Sequence, residues 1–258
     1  MLALVTGGSQ GIGLEYSRNL ARRGYDLLLV SNQEAELTAV ADEIRTQSGV
    51  AVYTRYQNLA ELDAAEQLFD YCQVQNLEVE VLVNNAGVFF FNPIVETEMR
   101  RIELMLDLHI RAVTKLCRLF GEQMVTRGHG YILNMSSMSA WMTMPGINVY
   151  NATKSYILNF SRSLWYELKP KGVSITAVCP GAVDTGLYGL APRLRRLAVA
   201  LGISMPPAKL AERGLRAMFK NKKQVIPGTI NILFVGLLKH LPDWLVFAII
   251  KRISKYQK

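Results

Sequence analysis

The sequence predicts an α/β protein, a doubly wound and mostly parallel sheet of seven strands with helices on both faces. Three observations lead there. Short, almost wholly apolar runs recur along the chain, which is what strands covered on both faces require. Longer segments with apolar residues at helical spacing separate them. A glycine-rich turn joins the first apolar run to the first helical segment, and such alternation with right-handed crossovers builds a parallel sheet.

Taken in order, the strands fall at 2–5, 25–30, 50–56, 79–83, 130–135 and 173–179, with a weaker one at 223–227. The helices fall at 11–23, 34–48, 60–75, 98–127 and 150–169. A ligand is expected beyond the carboxyl ends of the strands, where the strand order reverses. Past Gly181 the rhythm breaks. Prolines and glycines around a basic stretch make 182–207 a mobile flap within one domain, 1–228. Residues 229–258 form a C-terminal apolar and basic extension, interrupted by Lys239, His240, Pro242 and Asp243. That run falls short of the ~20 apolar residues of a membrane span. It suits an amphipathic segment on a membrane surface, or a hydrophobic wall docked on the domain.

Half of the 258 residues are apolar and 19% are charged, which excludes a disordered chain. Cys72, Cys117 and Cys179 are far apart and sit in apolar stretches, so they read as buried thiols of a reducing compartment. With histidine only at 109, 129 and 240, no metal site is expected. The run at 2–5 is too short for a secretory leader, so a cytosolic protein is expected. Charge is uneven: from Gly189 onward fourteen Lys and Arg face two acids, a net +12, against −4 in the rest. This tail is either a solvated basic face or one drawn to an anionic surface, such as the cytoplasmic side of a membrane. No nucleic-acid-binding module accompanies it, so nucleic acid is not an expected partner.

The turn after the first strand reads Thr6-Gly7-Gly8-Ser9-Gln10-Gly11-Ile12-Gly13. Glycines there let main-chain N–H groups approach a pyrophosphate, and the following helix N-terminus favours the anion. Gly7, Ser9, Gln10, Gly11, Ile12 and Gly13 are therefore candidate dinucleotide contacts, and the sheet is of the Rossmann type. After the second strand, a carboxylate would bind a free ribose 2′-hydroxyl and repel a 2′-phosphate. Here Ser31-Asn32-Gln33 precedes any acid, which leans slightly toward NADP(H) over NAD(H).

Together with that loop, Asn84-Asn85-Ala86-Gly87, Ser137, Tyr150-x-x-x-Lys154 and Pro180-Gly181 resemble the short-chain dehydrogenase/reductase family over residues 1 to about 227. Ser137 lies thirteen positions before Tyr150, as the family pattern requires. The resemblance implies that Tyr150 is the catalytic acid/base, Lys154 its activator and Ser137 the donor that polarises the carbonyl. It also implies cofactor contacts at Asn85, Ala86, Gly87, Tyr150, Lys154, Pro180, Gly181, Val183 and Thr185, the last at the nicotinamide carboxamide. Asn58, beside Leu59 near the adenine, stands where an aspartate is usual, and an amide still donates and accepts. His109 stands where an asparagine often extends the proton relay. It is either a relay group or a hydrogen-bonded core histidine.

The chemistry suits these residue types. Lys154, one turn after Tyr150, places an ammonium on the same helix face. A cation favours phenolate and lowers the phenol pKa toward the working range. Ser137 would hold the substrate oxygen as charge develops on it.

Phe89, Phe90 and Phe91, then Trp141, Met142 and Met144, then Leu187, Tyr188 and Leu190 suggest an apolar substrate pocket. The C-terminal third resembles long-chain 3-oxoacyl-CoA reductases, 3-ketosphinganine reductases and related 17β-hydroxysteroid dehydrogenases. That implies NAD(P)H-dependent, reversible reduction of a ketone on a lipid-like substrate, or else a steroid alcohol or ketone. A non-catalytic cofactor sensor on the same fold is disfavoured, since a sensor has no need of Ser137, Tyr150 and Lys154. A homo-oligomer, dimer or tetramer, is expected, for which the apolar tail offers an interface.

Overall fold

The computed structural model describes residues 1–184 and 204–228, together with 231, 232, 235, 236, 242, 244 and 247. Most of the expected flap, including Thr185, Leu187, Tyr188 and Leu190, and most of the expected extension lie outside the described residues.

The first six strands are β1 (Leu2–Thr6), β2 (Asp26–Ser31), β3 (Val52–Tyr56), β4 (Val79–Asn84), β5 (Gly130–Met135) and β6 (Val173–Val178). Two short strands, β7 (Ala182–Val183) and β8 (Ser204–Met205), pair with each other, and β9 (Gln224–Val225) adds to the main sheet. That sheet has seven strands in the order β3-β2-β1-β4-β5-β6-β9, and every neighbouring pair is parallel. The chain winds outward from β1 to β3, then crosses back to β4. The carboxyl ends of β1 and β4 therefore diverge into a crevice at the switch point.

The two-residue period of a strand distributes the core. Ala3 and Val5 of β1 face one side, where Tyr16, Leu20, Leu210 and Leu215 cover them. Leu2 and Leu4 face the other side, with Leu68, Leu116 and Phe120. The first layer consists of α1 (Gly11–Ala21), α2 (Glu34–Ser48) and α7 (Pro207–Phe219). The second consists of α3 (Ala64–Val74), α5 (Val113–Arg127) and α6 (Asn148–Leu168), with α4 (Met99–Leu106) leading into α5. The three cysteines are free and buried. Among the described residues, no helix is long and apolar enough to cross a membrane.

Three elements differ from the expectation. The helix expected at 60–75 begins only at Ala64, because Asn58 and Glu61 close a turn before it. The single helix expected at 98–127 contains a π-helical turn, Asp107–Ala112, between α4 and α5. Such turns insert one extra residue and re-aim side chains, often at functional sites. Helix α7 was not expected at all, although Pro207 at its start and Leu210, Ala211, Gly214, Leu215 and Met218 on one buried face carry the signal.

Phe120 is fully buried and meets Phe69 edge-on, with ring centroids 5.3 Å apart. We expect Phe120→Ala to lower the unfolding free energy by about 3–5 kcal/mol, the usual cost of removing a core aromatic. Urea unfolding of both proteins checks this; a loss under about 1 kcal/mol would mean this layer is not tightly packed.

Candidate active site

The glycine turn is tied to the opposite wall of the crevice. Thr6 Oγ1 accepts from the main-chain N–H groups of Asn85 and Ala86, each at 3.0 Å, and donates to the Val83 carbonyl at 3.3 Å. Asn85 Nδ2 donates back to the carbonyls of Thr6 at 3.0 Å and Gly7 at 3.2 Å. Gly7 and Gly11 hold φ of 64° and 56°, the left-handed region that disfavours other residues. The α1 N-terminus carries no side-chain cap and no acid in its first turn, so its N–H groups and dipole remain available to an anion.

One cavity of about 550 Å³ runs from this turn to Tyr150. Its wall includes Gly7, Ser9, Gln10, Gly11 and Ile12 from the turn, and Ser31, Asn32, Asn58 and Leu59 at the far end. Asn85, Ala86 and Gly87 line the middle, and Ser137, Tyr150, Lys154, Pro180, Gly181 and Val183 the near end, with His109 among them. Gly13 differs from expectation: it is not part of the wall. A Cβ there would lie 1.9 Å from the Gly7 carbonyl oxygen, so a bare Gly13 is what lets helix and turn pack.

At the far end the Ser9 and Ser31 hydroxyls share a 2.8 Å hydrogen bond, and Gln33 N–H donates to Ser31 Oγ at 3.1 Å. Asn58 Oδ1 accepts from Ala60 N–H at 3.2 Å. Lys154 is the one formally charged residue among the described residues of the wall, so neither a carboxylate nor an arginine stands at that end. An uncapped helix start, a glycine turn pinned open and a neutral far wall fit an extended dinucleotide.

At the near end, helix α6 carries Tyr150 and Lys154 one turn apart, both buried. Lys154 Nζ donates to the Met135 carbonyl at 2.9 Å and lies 5.4 Å from the Tyr150 ring centre. Burial lowers the ammonium pKa to about 8, the nearby Cys179 partly opposing it. Ser136 Oγ donates to the Lys154 carbonyl at 2.7 Å. Ser137 caps the short helix Met138–Trp141, its oxygen accepting from Ser139 N–H at 3.1 Å. That bond uses a lone pair and leaves the hydroxyl proton for another acceptor. The site thus brings together the expected triad, while Thr185 lies outside the described residues. Thr6, Ser136 and Thr153 were missed. Their roles depend on partners 79, 18 and 44 positions away, which no local pattern reveals.

His109, in the π-helical turn, is almost fully enclosed. Its Nε2 accepts from Val88 N–H at 3.0 Å, and its Nδ1 lies 3.0 Å from Thr153 Oγ1. Burial, then the charge of Lys154, holds its pKa well below the ordinary value of 6.5.

A nucleotide-binding α/β fold carrying a Ser-Tyr-Lys constellation defines the class, and the comparisons name it. The chain belongs to the short-chain dehydrogenase family, whose model matches residues 1–192. It is 30% identical over 260 residues to a very-long-chain 3-oxoacyl-CoA reductase of Mus musculus, covering 98% of this chain and 79% of that one. It is 34% identical over 189 residues to the enzyme of the same description from Anas platyrhynchos, covering 71% of this chain and 60% of that one. Among solved structures, a short-chain dehydrogenase from Sphingobium yanoikuyae in complex with NADPH matches with a TM-score of 0.80 at 28% identity, covering 93% of this chain and 96% of that one.

The histidine makes stability pH-dependent. Unfolded, it gains a proton below pH about 6.5; folded, it stays neutral. The unfolded state then binds more protons, so stability is complete above that pH and falls below it, by up to about 1.4 kcal/mol per pH unit. His109→Gln should flatten this slope in urea unfolding curves at several pH values. An equal slope in both proteins would mean the ring titrates normally.

Proposed function

We propose that the protein reduces a ketone on a hydrophobic, lipid-like substrate, of the long-chain 3-oxoacyl or 3-ketosphinganine type, to the alcohol, reversibly, with NADPH or NADH. The observation that carries this reading is the apolar surrounding of Tyr150. Tyr150 packs with Met105 and Ile147, and with Val88, Phe89, Phe90 and Met144 at its edge. Of these, Val88 and Tyr150 also line the cavity, joined there by Leu104, Leu108 and Val183, whereas Phe89, Phe90 and Met144 pack outside its wall; an apolar wall beside the phenol suits a long apolar chain. The resemblance to 3-oxoacyl-CoA reductases supports the same class.

A nicotinamide cofactor held along the wall that includes Ser137, Tyr150, Gly181 and Val183 would supply a hydride for the carbonyl carbon. Tyr150 Oη–H gives its proton to the carbonyl oxygen, and Ser137 Oγ–H donates a second hydrogen bond as charge grows there. Lys154, still mostly protonated at pH 7 with a pKa of about 8, stabilises the phenolate that remains. Without a carboxylate at Ser31-Asn32-Gln33, a 2′-phosphate meets no repulsion, which supports a lean toward NADPH. The tail of net +12 suits the phosphates of a thioester carrier or an anionic membrane surface.

Pure protein with either reduced cofactor should oxidise it on adding a long-chain 3-oxoacyl thioester or 3-ketosphinganine, and a 17-ketosteroid serves as the competing substrate. Tyr150→Phe should lower turnover about 100- to 10,000-fold while leaving cofactor affinity within about twofold. Normal turnover in that variant, or no response to any of the ketones, would refute the reading.

Reduction should also weaken with rising pH. Above about 8 the Lys154 ammonium loses its proton, and the phenolate loses the cation that stabilises it. A kcat/KM profile that stays level to pH about 10 would place the operating group elsewhere.

A further inference from the structure

The two hydrogen bonds of His109 determine its tautomer. A main-chain N–H only donates, so Nε2, which meets Val88 N–H at 3.0 Å, carries no proton. The ring proton of the neutral imidazole is then on Nδ1 and goes to Thr153 Oγ1 at 3.0 Å. Thr153 Oγ1–H donates in turn to the main-chain carbonyl of Tyr150 at 2.9 Å. The run of hydrogen bonds therefore starts at a peptide N–H and stops at a peptide oxygen, neither of which exchanges protons with a reacting carbonyl.

We infer that His109 is a positioning residue: a neutral strut that holds the loop carrying Val88 and Phe89 against helix α6 at Tyr150, and not a member of the proton relay. This rests on the reading of Tyr150 as the proton donor. The ring spans the two parts whose spacing the substrate must feel. On one side Phe89 follows Val88 and meets Tyr150 edge-on at 5.0 Å. On the other the imidazole itself lies 5.8 Å from the Tyr150 ring. Releasing the strut would let Phe89 and the apolar cluster drift from the phenol, changing how a bulky ketone is seated.

A relay would have to protonate Nε2. That turns an acceptor into a donor facing Val88 N–H, and creates a second buried cation near Lys154. The other charged or titratable groups around the ring give no relief. Tyr150 and Lys154 face it from α6, Asp107 and Arg111 on its own turn pair with each other at 2.8 Å, and residues 85–91 include no titratable side chain. Gly87 fits the same picture, since a Cβ there would lie 2.9 Å from Nε2. The loop reaches the ring because that position is bare.

The test uses the full-length protein with 15N-labelled histidine, His109 being assigned through His109→Gln, together with steady-state kinetics. The expected spectrum has a protonated Nδ1 and an unprotonated Nε2, unchanged from pH about 5.5 to about 8, with and without NADPH. His109→Leu should raise KM for the ketone about 10-fold, leave cofactor affinity within about twofold, and keep the shape of the kcat pH profile. His109→Gln, which keeps a donor and an acceptor, should recover part of that KM. A His109 signal that titrates between pH about 6 and 7, a proton on Nε2, an unchanged KM in His109→Leu, or loss of one limb of the kcat profile would each overturn the inference. If His109→Leu does not fold, the wild-type spectrum and the KM of Thr153→Val decide the question. The spectrum needs no turnover, so a wild-type protein inactive on every ketone refutes the oxidoreductase reading alone.

Discussion

One buried ammonium organises the floor of the cleft. Lys154 is 5% exposed, and its Nζ donates a hydrogen bond to the Met135 carbonyl at 2.9 Å. Taking a cation out of water costs several kcal/mol unless polar groups meet it. Helix α6 can supply that meeting only where it crosses the carboxyl end of β5. The bond from Ser136 Oγ to the Lys154 carbonyl ties the same turn to the same strand end. With Lys154 fixed along the helix axis, Tyr150 one turn earlier has no freedom to slide. The position of the phenol is therefore a consequence of where the sheet ends.

The same ammonium shapes its neighbour. Burial pushes both Lys154 and His109 toward their neutral forms, and the ammonium further disfavours charge on the imidazole. The amine starts from a pKa of 10.5 and arrives at about 8, so it keeps its proton at neutral pH. The imidazole starts at 6.5 and falls from there, so it has none to spare. One environment thus yields a cation and a neutral hydrogen-bonding ring side by side, because the two groups enter it with different intrinsic affinities for protons.

Much of this was legible in the sequence. Apolar strands report burial directly, and all seven expected strands join the main sheet. The glycine turn and the 137/150/154 spacing are local or nearly local patterns, and the fold brings their residues to one cavity. What escaped depends on tertiary contact. Whether His109 is tied depends on where the Val88 amide and the Thr153 hydroxyl lie, 21 and 44 positions away. The π-helical turn was hidden because an inserted residue leaves the apolar spacing of a long helix almost intact. The packing duty of Gly13 was hidden because packing glycines and binding glycines look alike until the Gly7 carbonyl is placed beside one of them.

Charge is distributed along the described wall of the cleft so that its two ends differ. At the near end a fixed cation lies beside the phenol. At the far end the described wall holds only neutral groups, and an anion must be met by main-chain N–H groups and the dipole of α1. Recognition of this kind does not titrate, because peptide groups neither gain nor lose protons near neutral pH. It also discriminates weakly. Hydroxyl and amide side chains such as Ser31 and Asn32 donate to a phosphate and accept from a hydroxyl with similar ease, so these side chains do not by themselves select between a 2′-phosphate and a 2′-hydroxyl. The described groups suited to an anion thus lie in the backbone of the turn, while the one formally charged side chain of the described wall lies beside the phenol.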